Sequence, residues 1–121
     1  MKQLCVFNNS TEEYLKEYYR ILNTMIFGMT QAKLTNSISH NFIVQMIPHH
    51  KAAIEMSENI MKYTANDTLR EIASNIITEQ TKSIDNMLKI KQGCSALTNS
   101  QQDLHQYQCN TNKILQTMFS H

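Results

Sequence analysis

The sequence predicts an all-α fold, an up-down-up-down four-helix bundle, on three observations. Apolar residues recur at helical spacing in four successive stretches, the connections between them are about 3 to 8 residues long, and turn formers are almost absent. Only 2 glycines and 1 proline occur in 121 residues. Sheet folds need turn residues every ten positions or so and are therefore disfavoured. A 41% hydrophobic and 17% charged composition supports a packed core, and the length fits one domain over residues 1–121, with 1–10 as an N-terminal arm.

The spacing of Ser10 and Glu13 suggests a capping box, and Tyr14, Tyr18, Ile21, Leu22, Met25, Met29 and Ala32 then form one stripe. A first helix is predicted over 11–33. Thr35, Asn36 and Ser37 break it. The second helix, 38–63, places Phe42, Ile43, Met46, His49, His50, Ala53, Ile54, Met56, Ile60 and Met61 on an inward face, with a kink expected at Pro48. Ala65-Asn66-Asp67-Thr68 reads as a turn and N-cap for a third helix over 67–91, which Gly93 is expected to close. After a turn at 94–98, Gln101, Leu104, His105, Gln108, Asn112, Leu115 and Phe119 mark a fourth helix.

The strongest chemical signal is Met46-Ile47-Pro48-His49-His50, followed by Met56. Met46 is one turn from both histidines, so two imidazoles and two thioethers are expected to face inward together. That donor set suits a soft ion, Cu(I) or Ag(I), while core packing of the methionines and hydrogen bonding of a histidine is the competing reading. Counting rise along the helices puts Met25, His49, Ser83 and His105 in one layer, with Gln80, Met87, Gln108 and Cys109 nearby. Inward polar groups must be paired, so this layer implies a hydrogen-bond network, a wet pocket or a metal ion.

Enzyme templates fit less well, and no catalytic residue is expected. A di-iron carboxylate centre needs Glu-x-x-His on two helices, a spacing not present here. Cys109 lies one turn from His105, but such a pair on a helix flank is usually structural. Three cysteines, Cys5, Cys94 and Cys109, argue for free thiols rather than a disulfide framework. A net charge of +1 gives no footprint for nucleic acid or an anionic membrane. No apolar run is long enough to span a membrane, and MKQLCVFNNS does not read as a secretory signal, so the expected compartment is cytoplasmic.

FIVQMIPHHKAAIEMSENI and LREIASNIITEQTKSIDNM resemble the bacterial domain-of-unknown-function family 305 over residues 42–87. The family pattern has a Phe, then Met-Ile-Pro-His-His, an Ala-Ile-x-Met segment, and a helix with Ile-x-x-x-Gln and a closing Met. The resemblance implies a ferritin-like four-helix bundle. Copper or silver binding in some exported members implies Met46, His49, His50 and Met56 as the matching positions. Where the family has Glu-Ile after the Gln, this chain has Ser83-Ile84.

The expected function is therefore binding of a soft metal ion by Met46, His49, His50 and Met56, with Met25, Met87, His105 and Cys109 as further donors. The alternative is a non-catalytic structural or interaction module, a homo-oligomer formed through a helical face. Phe27 on the outward side of the first helix, with Tyr19 and Val44 near exposed flanks, motivates that second reading.

Overall fold

The structure is a computed structural model and describes residues 7–94. These residues form three helices and no strand: α1 (Asn9–Thr30), α2 (Ile38–Met61) and α3 (Asp67–Cys94). The expected fourth helix and the turn before it lie outside the described residues.

Each helix starts where a side chain can satisfy the free amides of a first turn. Asn8, rather than Ser10, caps α1: its Oδ1 accepts from the Thr11 amide at 2.8 Å, and α1 begins two residues earlier than the capping-box spacing suggested. Ser37 caps α2 by accepting from the His40 amide at 3.1 Å, and Asn66 does the same for α3 through the Leu69 amide at 2.9 Å.

The helix ends differ from expectation. α1 stops at Thr30 instead of 33, with the Gln31 amide donating to the Phe27 carbonyl as its last turn closes. Asn41 accepts from the Thr35 amide and donates to the Thr35 carbonyl, both at 2.8 Å, which fixes the breaker against the start of α2. α2 runs without interruption through Pro48, although proline supplies no amide to the Val44 carbonyl. α3 continues past 91 to Cys94, so Gly93 lies inside the helix rather than capping it. Arg70 donates to the Met61 and Thr64 carbonyls, which closes the C-terminal end of α2 in the place of a glycine cap.

α2 is central. It packs against α1 on one side and α3 on another, while α1 and α3 make no close approach to each other. Pairings of Gly28 with Pro48, Arg20 with Glu55 and Tyr14 with Asn59 show that α1 and α2 run antiparallel. The core is small: Ile21, Ile43, Ala52, Ala73 and Met87 are its buried apolar residues among those described. Arg20 also bonds Glu17 and bridges to Glu55 at 3.0 Å, and its hydrogen bonds hold the Glu17 carboxyl below the usual carboxylate range. This cluster is solvent-exposed, so screening leaves it a minor contributor beside the apolar packing.

The tightest approach lies between Gly28 and Pro48. A Cβ on Gly28 would stand 2.9 Å from Cβ and 3.1 Å from Cγ of Pro48, atoms held rigidly by the pyrrolidine ring. Glycine here costs helix propensity and is retained in return for close helix contact. Gly28→Ala is expected to destabilise the protein by about 1–2 kcal/mol, because overpacking outweighs the propensity gain of about 1 kcal/mol. Urea unfolding measures this, and a stabilised variant would show that the two helices do not meet at this point.

Candidate functional site

At about 100° per residue, the surface of α2 divides into rows of residues seven apart. Ala52 and Asn59, with Pro48 and Glu55 beside them, face α1. Ile43, His50 and Ser57 lie on the far side from α1, and the burial of Ile43 and Ser57 there marks that side as the one α3 covers. Phe42, His49 and Met56 form the row between.

These rows differ in burial. Ala52 and Asn59 are buried, as are Ile43 and Ser57, while Phe42 and His49 are exposed. His50, Met46 and Met56 are half-buried. The expectation that both imidazoles face the interior is therefore corrected for His49. Its row lies between the α1 side and the α3 side and is covered by neither.

The α3 side of the site is organised by a matching row, Ala73, Gln80 and Met87. Ala73 and Met87 are buried and Gln80 is half-buried. The turn that brings Arg70 to the Met61 carbonyl sets the antiparallel register, and counting equal steps along each helix from it puts Gln80 about level with His50. Ser57 is then about level with Ala73 and Ile43 with Met87, so small and large side chains match along the contact. By this count Met87 lies two turns along α3 from Gln80, away from the level of His50, and Ser83, one turn from Gln80, is half-buried. Met25 instead lines a groove of about 220 Å³ between α1 and α2, with Gly28, Pro48, Lys51 and Glu55. His105, Gln108 and Cys109 lie outside the described residues, as does the Cys5 side of the chain, and Cys94 is described in backbone only.

Within the His-His pair the ring centroids are 6.2 Å apart and tilted by 60°. The His50 Nδ1 atom lies 3.0 Å from the Met46 carbonyl oxygen. A carbonyl only accepts, so this hydrogen bond requires His50 to carry its proton on Nδ1 and leaves the Nε2 lone pair free. His40, one helix turn before Val44, is tied instead to the connection through Nε2 and the Lys33 carbonyl at 3.3 Å.

An ion with metal–nitrogen bonds of about 2 Å to each of two imidazoles needs ring centroids no more than about 6.4 Å apart, and the observed separation satisfies that limit. No group of three or more His, Cys, Asp or Glu side chains that could hold a metal ion is present among the described residues. Any ion held at the pair would therefore draw further donors from thioethers or from residues beyond 94. The donor chemistry fits a soft monovalent ion better than a hard one.

Two features escaped the sequence pattern. One is the hydrogen bond from His50 to the carbonyl of its own helix, which spacing alone does not show. The other is Asn59, 2% exposed, which donates to the Tyr14 carbonyl at 3.1 Å and keeps Oδ1 buried without a partner among the described residues. Its position seven residues after Ala52 was the available signal, since it places an amide on the row that faces α1. No helix among the described residues is long and apolar enough to cross a membrane.

No curated protein matches the chain. A protein-family model, Domain of unknown function (DUF305), matches residues 38–121, which takes in α2, α3 and all that follows but not α1. With that match extending over more than half of its length, the chain belongs to the DUF305 family.

Proposed function

We propose that this protein binds a soft metal ion, Cu(I) or Ag(I), at the Met46–His50 turn of α2, and that it works as a binding or buffering protein rather than as an enzyme. The observation that carries this reading is the His49–His50 pair, with rings 6.2 Å apart and one helical turn after Met46. Imidazole and thioether together favour soft d¹⁰ ions. Met56 on the His49 row, Met87 on α3 and His105 in the C-terminal segment are the further donors in this reading. When bound, the ion supplies no reaction of its own here. The residues of the pair hold and orient it.

The C-terminal segment completes the site in the same proposal, as the fourth helix of an up-down-up-down, ferritin-like bundle. Two things support this. α1 and α3 each pack on α2 and not on each other, so the row between them is left for a further helix. Ile38 and Phe42, on the uncovered row, are 75% and 57% exposed, so an apolar trough is left for a further helix, and Leu104, Leu115 and Phe119 recur at suitable spacing.

A second reading, self-association through a helical face, is favoured by Phe27 at 68% and Tyr19 at 56% exposed, although Val44 is half-buried. Those side chains leave an apolar surface on α1 that a homodimer would bury.

Competition for Cu(I) against a chelator tests the main reading: the wild type should retain the ion and the His49→Ala/His50→Ala double variant should lose it, and equal retention would overturn the site. For the fourth helix, Leu115→Asp should destabilise the full chain by about 2–4 kcal/mol in urea. A change within about 0.5 kcal/mol would place Leu115 on a solvent face instead. Sedimentation equilibrium tests the second reading, with a dimer expected that Phe27→Glu disperses. A monomer at every concentration removes it.

A further inference from the structure

The carbonyl of Met46 does more than close a helical turn. In α2 it is the acceptor for the His50 backbone amide, and it also lies 3.0 Å from the His50 ring Nδ1. Because a carbonyl oxygen has no proton to give, the ring must donate, which selects the Nδ1–H tautomer. The same contact holds the ring along the helix and directs Nε2 away from it. His49 has no comparable hydrogen bond among the described residues, and its side chain is exposed.

We propose that the Met46 carbonyl is a positioning group that fixes His50 as an Nε2 ligand, making His50 the anchoring imidazole of the pair and His49 the adaptable one. This rests on the soft-metal reading above and adds which nitrogen binds and which histidine dominates. Metal-bound histidines commonly donate their second ring N–H to a backbone carbonyl, because the fixed tautomer presents a lone pair without a proton having to leave. Here that arrangement is present before any ion arrives. The entropy of orienting the ring is already lost in the folded chain, so binding at His50 costs less than binding at His49.

The test uses the full chain with ¹⁵N-labelled histidine and long-range ¹H–¹⁵N correlation at neutral pH, the peaks assigned through single His→Gln variants. In the metal-free protein His50 should show a protonated Nδ1 and an unprotonated Nε2, and a tautomer-averaged or Nε2–H ring would overturn the proposal. On adding Ag(I), Nε2 of His50 should shift while its Nδ1 stays protonated. A shift at Nδ1 would overturn the proposal and leave the metal reading standing, whereas no shift at either His49 or His50 would overturn both. Measured by competition, His50→Ala should weaken Ag(I) binding about tenfold more than His49→Ala. An equal or larger loss in His49→Ala would also overturn it, provided circular dichroism shows both variants folded.

Discussion

Everything described in this fold depends on α2 being packed from two sides at once. A helix with one neighbour needs one apolar stripe, but a helix between two neighbours must bury two rows and still leave a third available. α2 meets that constraint with short side chains where the helices approach most closely. Ala52 faces α1 and Ser57 faces α3, and Ser57 stays buried at little cost because its hydroxyl donates to the Ala53 carbonyl at 2.8 Å. Gly28 and Ala73 play the same part from the flanking helices. The result is a close approach of backbones with few large core residues, so stability rests on fit more than on bulk.

That economy explains the polar content of the interior. Ser37, Ser57 and Asn59 are buried, and each is bonded to backbone, which lets polar side chains sit where a larger core would hold leucines. Ser37 serves the helix start, and Asn59 ties α1 to α2 across the bundle through the Tyr14 carbonyl. The edge-on Tyr14–Tyr63 contact closes the same end. Helix ends and turns are thus fixed by directional bonds, while the middle of α2 is fixed by shape.

The elements were largely legible in the sequence because helical periodicity reports burial on a single face, and α1 and α3 each have one such face. The cap of α3 within Ala65–Thr68 was legible for a different reason: capping is local chemistry, readable from a few residues. Two of the errors at helix ends are also physical. Asn8 and Ser10 are comparable caps, and periodicity does not choose between them. Gly93 was read as a stop, but a glycine ends a helix only where the chain turns, and here the helix continues to Cys94. At the candidate site, residue types and spacing named a set of donors but not their geometry. A single broad stripe from Phe42 to Met61 hid the fact that α2 has two partners. Residues one position apart, His49 and His50, consequently fall on rows of different exposure.

Pro48, His49 and His50 occupy consecutive positions and so point to three different sides of α2. Pro48 meets Gly28 on α1, His49 lies on the uncovered row, and half-buried His50 lies on the row of Ile43 and Ser57, away from α1. The tripeptide therefore links the docking of α1 to the orientation of both imidazoles. Proline supplies rigidity at that junction, since its ring has fixed φ and transmits a shift in α1 to the backbone that carries the histidines. His50 is held further by the carbonyl of Met46, two residues before Pro48, so the ring and the helix contact share one turn of backbone. Packing at Gly28 and ligand geometry at His50 are in this way not independent properties. A change in the small residue on α1, in a segment outside the family match, would be felt first at the Met46–His50 turn.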